Sequence, residues 1–335
     1  MKIFISGIAG FLGSHLADAL IAQGHDVVGC DNLAGGYMDN VPEKAAFYHD
    51  DCTDLAKMKE IMAGCDVVVH TAAAAYEGFS MSSPCLVNKN VHQTTVVLAT
   101  AAIHNKVKRF VFCSSTARYG SNKAPFTEDM EPKPMTPYGV AKVASEQVLK
   151  NLCDYYGMEY VIAVPHSIIG TRQKYDDPYR NVASIFINLM LQGRQPMIYG
   201  DGEQKRCFSM VQDCIQCLTK MVLEPGLNGE VINIGPDESH SYVTVNELAQ
   251  MLAKMMDFDL KPEYQGSRPH EMPIMHCSAD KARKLLGYKT EWTLEKGLKE
   301  MIDWIKERGP RPFRYHFDVE IINEKTPKTW SKKLF

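Results

Sequence analysis

The chain has 335 residues, enough to bury a large core, and this length favours two domains or one domain with an added lobe. Its formal net charge of −3 comes from acidic and basic residues mixed along the sequence, which argues against a nucleic-acid partner. No apolar segment reaches membrane-spanning length, and the glycine-rich start lacks the cleavage site of a signal peptide. We therefore expect a soluble, cytoplasmic protein with no membrane partner.

The ten cysteines are expected to be reduced core residues, because they lie at irregular spacings in apolar or helical segments. Cys214 and Cys217 form a CxxC pair, but no second pair and no paired histidines lie near it in the sequence. A lone CxxC on an amphipathic helix is more often structural than metal-binding, so no metal is predicted.

Strands and helices alternate from the start of the chain to about Pro165. The predicted strands are KIFISG, HDVVGCDN, CDVVVHTAA, RFVFCSS and YVIAVPH. The predicted helices are GSHLADALIAQG, LAKMKEIMAG, a long helix from about Val91 to His104, and a helix that follows Tyr138. This alternation predicts an α/β fold with a Rossmann-type, doubly wound parallel sheet.

Beyond Pro165 the pattern loosens into loops rich in glycine, proline and charge, such as GTRQKYDDPYRN and YGDGEQKR. We interpret residues 1–165 as a cofactor-binding domain. Residues 166–335 are interpreted as a smaller C-terminal α/β lobe for the substrate, some of whose segments return to the first domain. In such folds ligands bind outside the carboxyl ends of the strands. The tail from Gly309 onward carries no motif that we can interpret.

The first motif with chemical meaning is GIAGFLG, which places Gly7, Gly10 and Gly13 between the first predicted strand and the first predicted helix. Glycine lets the backbone turn sharply and approach a pyrophosphate, and the N–H groups at the start of the helix attract its charge. The strand before the motif and the helix after it therefore predict a dinucleotide site.

Two acidic residues further along the chain fit the same site. Asp31 ends the second strand, where a carboxylate can accept hydrogen bonds from an adenosine ribose and would repel a 2′-phosphate, so NAD is favoured over NADP. Alternatively, Asp31 only forms a turn before Asn32. Asp51 follows the next extended segment and could meet the adenine edge, or it could be an exposed loop residue.

The sequence TPYGVAK places Tyr138 and Lys142 about one helical turn apart, so their side chains share a face. A phenol is too weak an acid to serve as a base at neutral pH, but an adjacent cation favours the phenolate. We expect Lys142, together with the positive nicotinamide ring of NAD, to bring the pKa of Tyr138 into the range of a general base. The strand end CSSTARYG offers Ser114, Ser115 and Thr116 as hydroxyl partners, of which Ser115 is preferred.

Together, GIAGFLG, Asp31 with Asn32, HTAA, SSTARYG and YGVAK resemble the extended short-chain dehydrogenase/reductase family. The resemblance covers almost the whole chain, because VPHSIIGTRQ, YGDGEQKRCFSMVQD and SRPHE resemble later segments of the same family. Within the family the chain is most similar to the nucleotide-sugar 4-epimerases. The resemblance implies a resident NAD, a nucleotide-diphosphate sugar as substrate, with a UDP-sugar favoured, and a homodimer formed through two helices of each subunit.

Carried over residue by residue, the resemblance assigns three groups of site residues. The catalytic residues would be Ser115, Tyr138 and Lys142. The NAD-binding residues would be Gly7, Gly10, Phe11, Leu12, Gly13, Asp31, Asn32, Asp51, Cys52, Ala72, Ala73, Asn90, Tyr138, Lys142 and Pro165. The substrate-binding residues would be Ser115, Thr116, Tyr138, Ser167, Asn181, Val182, Arg206, Arg268 and Glu271. The two arginines would bind the diphosphate, because the planar guanidinium fork pairs with phosphate oxygens.

Several positions depart from related members of the family. Dehydratases carry an Asp–Glu pair directly after the catalytic hydroxyl and sugar-acid decarboxylases carry the glutamate, whereas this chain has Thr116 and Ala117. Dehydration and decarboxylation are therefore disfavoured. Ser167 and Val164 replace a usual asparagine and a usual arginine, and Met275 aligns with a position that limits the size of the sugar's 2-substituent. These positions leave the sugar unidentified.

The reaction that the resemblance implies is epimerisation at C4 of a UDP-hexose or a derivative of one. Tyr138 would remove the proton of the C4 hydroxyl while NAD takes the hydride, and the transient 4-keto sugar would turn and receive the hydride on its other face. An alternative is an NAD(P)H-dependent reductase of a nucleotide 4-ketosugar. A non-catalytic NAD-binding sensor is a third alternative, against which the intact set of Ser115, Tyr138 and Lys142 argues.

Overall fold

Strands and helices alternate through the computed structural model, which describes residues 1–237, 242–268 and 271–335. The strands are β1 (Lys2–Ser6), β2 (Asp26–Asp31), β3 (Ala46–His49), β4 (Val67–His70), β5 (Arg109–Cys113), β6 (Glu159–Pro165), β7 (Ile168–Ile169), β8 (Met197–Tyr199), β9 (Lys205–Cys207), β10 (Ser209–Met210), β11 (Val231–Ile234), β12 (Tyr242–Thr244), β13 (Glu263–Gln265) and β14 (Ile274–Met275). The α-helices are α1 (Phe11–Ala22), α2 (Leu55–Ile61), α3 (Pro84–Asn88), α4 (Thr94–His104), α5 (Pro137–Tyr156), α6 (Val182–Leu191), α7 (Val211–Leu223), α8 (Val245–Met256), α9 (Asp280–Leu286), α10 (Leu294–Arg308) and α11 (Lys328–Ser331).

The centre of the fold is a seven-stranded sheet in the order β11-β6-β5-β4-β1-β2-β3, and every neighbouring pair in it is parallel. Its inner strands are buried on both faces, as in β5, where every residue from Arg109 to Cys113 is buried. The strand order reverses between β1 and β4, and ligands of such sheets bind in the crevice that this reversal opens. The predicted doubly wound α/β fold is confirmed.

The strands and helices predicted before residue 165 are all present, with two differences. The helix predicted from about Val91 begins earlier, because α3 and a π-helical turn, Lys89–Gln93, precede α4 in an almost continuous run. The strand β3 was not predicted, since its sequence AFYH lies at the edge of the sheet and is largely exposed, so it lacks the apolar run of a buried strand.

The second half of the chain contributes to two layers. The strand β11 extends the main sheet beside β6, and α7 packs on α1, so the chain returns to the first layer well after residue 165. The remaining segments form a smaller lobe in which α6, α8 and α10 pack together. Its apolar core includes Phe186, Leu248, Leu252, Leu298 and Ile302.

Three further observations bear on compartment and chemistry. All ten cysteines carry free thiols, and only Cys85 is exposed. In the described ranges, no group of three or more His, Cys, Asp or Glu side chains is arranged to hold a metal ion. No helix in the described part of the chain is both long and apolar enough to cross a membrane.

A buried polar cluster ties the loop after β5 to the helix α5. The carboxylate of Glu146 accepts a hydrogen bond from the Ser114 hydroxyl and two from the Arg118 guanidinium, both at 3.0 Å. The side chains of Arg118 and Glu146 are only 4% and 3% exposed. Because the two buried charges are paired with each other, the cluster holds the segment that carries Ser115 against the helix that carries Tyr138.

We expect the substitution Glu146→Ala to lower the free energy of unfolding by about 3–5 kcal/mol, because it leaves the Arg118 guanidinium buried without its counter-ion. Urea unfolding of the variant and the unmodified chain measures this difference. The matched control is Glu60→Ala, which removes an exposed pair with Lys57 and should cost no more than about 1 kcal/mol. Similar losses in the two variants would contradict the role given to Glu146.

Candidate functional site

The turn between β1 and α1 is so tight that the third residue of α1, Gly13, must be glycine. Gly7 has a φ of 74°, and its N–H donates to the Cys30 carbonyl at 2.8 Å, while the N–H of Gly10 donates to the Gly7 carbonyl at 3.0 Å. A Cβ on Gly13 would lie 2.2 Å from the Gly7 carbonyl oxygen, well inside contact distance. Gly10 is the residue that precedes α1, and no side chain there accepts a hydrogen bond from the first helical turn. The N–H groups of that turn therefore remain available to an anion.

A cavity of about 190 Å³, here called the glycine-loop cavity, lies beside this turn. Twelve of the residues predicted to bind NAD line it: Gly7, Gly10, Phe11, Leu12, Gly13, Asp31, Asn32, Asp51, Cys52, Ala72, Ala73 and Asn90. The other three, Tyr138, Lys142 and Pro165, line the adjoining cavity described below.

The carboxylate of Asp31 has a structural role as well as a place in the glycine-loop cavity. It accepts hydrogen bonds from the N–H groups of Ala9 at 3.0 Å and Leu33 at 2.8 Å. Both interpretations of Asp31 therefore have a structural basis, since the carboxylate closes a turn and also lines the cavity. Asp51 is similar: it accepts two hydrogen bonds from Thr53 and lies 3.6 Å from the ammonium of Lys89.

The residues of this cavity fit NAD. The glycines let the backbone turn tightly beside the cavity, the uncapped start of α1 offers N–H groups to a pyrophosphate, and an acidic side chain stands at the end of β2. Residues from Gly7 to Gly13 would hold the pyrophosphate, and Asp31 would hold the adenosine ribose.

A second cavity of about 430 Å³, here called the catalytic cavity, adjoins the first. Six residues line both cavities: Phe11, Leu12, Thr71, Ala73, Ala75 and Arg180. All nine residues predicted to bind the substrate line it: Ser115, Thr116, Tyr138, Ser167, Asn181, Val182, Arg206, Arg268 and Glu271. The fold thus brings together residues that lie up to 156 positions apart in sequence, from Ser115 to Glu271.

The helix α5 presents Tyr138 and Lys142 to the catalytic cavity from its first turns. The Thr136 side chain accepts a hydrogen bond from the N–H of Gly139 at 3.2 Å and so fixes the start of the helix. The ammonium of Lys142 lies 5.8 Å from the centroid of the Tyr138 ring and donates to the Cys113 carbonyl at 2.7 Å. Because Cys113 ends β5, this hydrogen bond joins the helix to the strand that leads to Ser115.

The chain's own groups do not lower the pKa of Tyr138, contrary to the part of our prediction that concerns Lys142. Burial raises the pKa of the Tyr138 phenol, and a hydrogen bond with the Ser115 hydroxyl opposes this rise without overcoming it. Burial also lowers the pKa of Lys142, to about 8. The physical reason is that the ammonium donates to a backbone carbonyl and both groups are desolvated. The part assigned to the nicotinamide ring stays a prediction.

Two arginines predicted for the diphosphate are held side by side by one carboxylate. Glu271 accepts a hydrogen bond from Arg206 at 2.6 Å and two from Arg268, at 2.7 and 2.8 Å. The Arg268 guanidinium also lies over the ring of Tyr199, 4.9 Å from its centroid. This bracing orients both guanidiniums before a ligand arrives. Pro269 and His270 of the SRPHE segment lie outside the described residues.

Asn181, Val182 and Ser167 also contribute to the architecture of the catalytic cavity. Asn181 caps α6, since its side-chain oxygen accepts the N–H of Ala183 at 3.0 Å, and Val182 is the first residue of that helix. Ser167 has a φ of 43°, in the left-handed region where asparagine is better tolerated than serine. The backbone at this position therefore keeps the conformation that suits the asparagine usual there.

Sequence reasoning missed several residues of the site. Glu77 and Arg180 lie in loops and line the catalytic cavity, and three aromatic residues come from the tail that had no recognisable motif. Trp330 and Phe335 line the catalytic cavity, and Phe317 lines the glycine-loop cavity. The only sequence signal was the high aromatic content of the tail, because its contacts with the site depend on how the chain folds back.

The tail is held in place by hydrogen bonds to both halves of the chain. The Glu320 carboxylate accepts the N–H groups of Cys85 and Leu86 in the first turn of α3, at 2.9 and 2.8 Å. The side-chain amide of Asn188 donates to the Arg311 carbonyl at 2.9 Å. These contacts hold the tail where three of its aromatic residues line the two cavities.

Comparison with known proteins identifies one family and many relatives, among them several UDP-sugar 4-epimerases. The sequence matches the NAD dependent epimerase/dehydratase family over residues 3–235. It is similar to the solved structure of a UDP-glucose 4-epimerase from Thermotoga maritima with UDP-glucose, at 32% identity and a TM-score of 0.85, covering 92% of this chain and 99% of that one. A UDP-glucose 4-epimerase from Mycolicibacterium smegmatis is 30% identical over 92% of this chain and 100% of its own.

A third relative holds both kinds of ligand. It is the solved structure of a UDP-glucuronic acid 4-epimerase from Bacillus cereus in complex with UDP-glucuronic acid and NAD. It is 29% identical, has a TM-score of 0.85, and covers 92% of this chain and 100% of that one. The relatives are thus matched almost over their full lengths, while about a twelfth of this chain lies outside the match.

The substitution Gly13→Ala is expected to remove bound NAD. Its Cβ would lie 2.2 Å from the Gly7 carbonyl oxygen, so the turn beside the pyrophosphate must open. NAD released from the purified protein by denaturation should fall to about a tenth of the unmodified chain's content or less.

The control for this prediction is Gly24→Ala, at the other end of α1. Gly24 has a φ of 81° with nothing within 4 Å of an added Cβ, so the variant should lose about 1–2 kcal/mol of stability and keep its NAD. Equal NAD contents in Gly13→Ala and the unmodified chain would mean that the turn does not hold the pyrophosphate.

Proposed function

The chain belongs to the NAD-dependent epimerase/dehydratase family, and we infer that it interconverts two nucleotide sugars that differ at C4, with NAD as its cofactor. The observation that carries this function is the composition of the catalytic cavity. Ser115, Tyr138 and Lys142 line the same cavity as Arg206 and Arg268, and that cavity adjoins the glycine loop. A sugar that lies at Ser115, Tyr138 and Lys142 can therefore place its diphosphate on the two arginines.

A UDP-sugar is the substrate that the relatives support. The Thermotoga maritima structure holds UDP-glucose and the Bacillus cereus structure holds UDP-glucuronic acid. The paired guanidiniums of Arg206 and Arg268 suit a diphosphate, because each can offer two parallel N–H donors to phosphate oxygens. In this proposal residues 1–165 hold the cofactor and most of residues 166–335 hold the nucleotide sugar.

Each catalytic side chain has one task in this reaction. NAD would supply a hydride acceptor and a positive charge that favours the Tyr138 phenolate. In that phenolate form, Tyr138 takes the proton of the C4 hydroxyl and later returns it. Ser115 donates a hydrogen bond to the C4 oxygen. Lys142 holds α5 against the end of β5 through the Cys113 carbonyl and keeps a cation near the phenol.

Two further parts of the proposal concern dehydration, which is disfavoured, and the cellular compartment. Dehydration needs an acid directly after the catalytic hydroxyl, and the two positions there are Thr116, a hydroxyl, and Ala117, which is buried. The free thiols support a reducing, cytoplasmic compartment.

The test is to incubate the purified protein with UDP-glucose, UDP-galactose and their N-acetyl and uronic forms, with no NAD added, and to separate the products. Formation of the C4 epimer without added cofactor supports an epimerase with resident NAD. Conversion that requires NADH or NADPH and a keto sugar would point instead to the reductase. A 4-keto, 6-deoxy product would point to a dehydratase.

We expect Tyr138→Phe to lower kcat by about 10²–10⁴-fold while leaving the affinity for the UDP-sugar within about threefold, because only the proton-transferring oxygen is lost. Product formation and calorimetric binding measure the two quantities. The matched control is Tyr155→Phe on the same helix, whose side chain is 82% exposed and which should keep full activity. Near-normal turnover by Tyr138→Phe would show that Tyr138 does not transfer the proton.

A homodimer formed through α4 and α5 is also proposed. The two helices pack on each other, and their outer faces present small and apolar side chains to solvent. Val140 is 53% exposed, and Ala144 and Val148 follow it at helical spacing on α5, beside Val96 and Thr100 on α4. Two such pairs can bury these faces in a four-helix interface.

The substitution Ala144→Arg should halve the mass measured by light scattering at micromolar concentration, because it places a charge in the middle of that face. The control is Glu307→Arg, on an exposed face of α10, which should leave the mass unchanged. A monomer in the unmodified chain, or a dimer that survives Ala144→Arg, would remove the proposed interface.

A further inference from the structure

Glu77 is an acidic residue inside the catalytic cavity that the proposed reaction does not use. It follows β4 in a loop whose backbone is fixed by a hydrogen bond from the Ser80 hydroxyl to the Glu77 carbonyl at 2.6 Å. The next residue, Gly78, packs between two cavity residues: a Cβ on it would lie 3.5 Å from the Trp330 ring and 4.0 Å from the Arg268 side chain. The loop therefore has little freedom to carry Glu77 out of the cavity.

The Glu77 carboxylate lines the cavity and has no hydrogen-bond partner among the described residues. Among the residues that the structure describes, no donor forms a hydrogen bond or ion pair with it, whereas Glu271 nearby accepts three hydrogen bonds from arginines. Burial raises the pKa of the Glu77 carboxyl above its ordinary value, and Arg206 and Arg268 oppose this rise. A carboxylate in this position can accept hydrogen bonds from a ligand.

Glu77 interacts electrostatically with Tyr138 and with the two arginines proposed to bind the diphosphate. Its charge raises the pKa of the Tyr138 phenol, and it interacts with Arg206 and Arg268. If the diphosphate lies on the arginines and the C4 hydroxyl at Tyr138, the sugar ring must span the region that Glu77 lines. The carboxylate is therefore placed to contact the sugar.

We propose that Glu77 is a specificity-determining residue, which accepts hydrogen bonds from the hydroxyl groups of an uncharged sugar ring and excludes sugars that carry a carboxylate. This inference rests on the proposed function, since it assumes a nucleotide sugar between Tyr138 and the arginines. It assigns the chain to UDP-hexoses or their N-acetyl forms and separates it from the Bacillus cereus relative, whose structure holds UDP-glucuronic acid.

The charges around Glu77 support the exclusion of sugars that carry a carboxylate. Arg206 and Arg268 carry two positive charges, and Glu77 and Glu271 carry two negative ones, so the group is neutral before a ligand binds. A diphosphate already adds negative charge to this group. The carboxylate of a uronic acid would add a further negative charge beside Glu77, in a region with little water to screen it. Arg180 offers little compensation, because its guanidinium pairs with Asp177 at 3.4 Å.

The experiment compares two sugar pairs in the unmodified chain and in Glu77→Gln. Amide and carboxyl groups have almost the same shape, so the substitution removes the charge and keeps the volume. In the unmodified chain we expect kcat/KM for UDP-glucose to exceed that for UDP-glucuronate by about tenfold or more. In Glu77→Gln this ratio should fall at least tenfold, chiefly through a gain with UDP-glucuronate.

Two further variants serve as controls. Glu77→Asp keeps the charge and should keep the discrimination against UDP-glucuronate. Glu131→Gln removes a carboxylate from an exposed loop and should leave both sugars unaffected. A ratio near one in the unmodified chain, or a ratio that Glu77→Gln does not change, would overturn the proposal.

Calorimetric binding separates this inference from the proposed function. UDP-glucose and UDP-glucuronate are titrated into Tyr138→Phe with and without Glu77→Gln, so that no turnover occurs. A preference for UDP-glucose that disappears with Glu77→Gln supports the role of Glu77. If in addition the unmodified chain converts no C4 pair, that result counts against the epimerase activity and leaves the role of Glu77 supported. Equal binding of both sugars in Tyr138→Phe would refute Glu77 as a selector.

Discussion

The parallel pairing of β1 with β4 on one side and β2 on the other is the constraint on which the rest of the structure depends. It sets the residues that follow three strands side by side at one edge of the sheet. The space there is so small that a Cβ on Gly7 would lie 2.9 Å from the backbone of Ala72. The Ser6 hydroxyl and the His70 ring, 2.8 Å apart, link the last residues of β1 and β4. The glycine turn, Asp31 and the loop that carries Glu77 all start from this edge.

The catalytic side chains depend on a second set of buried polar contacts, between the end of β5 and α5. Glu146 binds Ser114 and Arg118, and Lys142 binds the Cys113 carbonyl, so direct hydrogen bonds join five residues of β5, the loop after it and α5. Buried charges are stable only when they are paired and hydrogen-bonded, and this requirement fixes the helix against the strand. The alignment of Ser115 with Tyr138 is a consequence of this packing.

Much of the cavity lining could be predicted because the relevant residues lie within short motifs. GIAGFLG indicates a turn and a helix start by its glycine spacing alone, and TPYGVAK carries its cap, its proline and its Tyr–Lys pair within seven residues. The nine residues expected to bind the substrate, scattered between Ser115 and Glu271, all line one cavity, although their roles remain proposals. Local chemistry and family resemblance were sufficient to select these residues, because each lies within a short segment that the family resemblance covers.

Other features depend on contacts between distant segments, which leave no local pattern. The edge strand β3 lacks an apolar run, and Trp330 reaches the catalytic cavity only because the tail folds back over both halves of the chain. The burial of Tyr138 and the hydrogen bond from Lys142 to the Cys113 carbonyl also come from the tertiary structure.

The sequence by itself determined the parallel α/β fold and the glycine turn and indicated NAD, since these follow from periodicity and from residues close together in the chain; it also predicts the catalytic set of Ser115, Tyr138 and Lys142. Only the tertiary structure decided which charged side chains line the catalytic cavity, how Glu271 braces two arginines and that residues of the tail line both cavities. The physical reason is that electrostatic energy and desolvation depend on distances between groups that are remote in sequence.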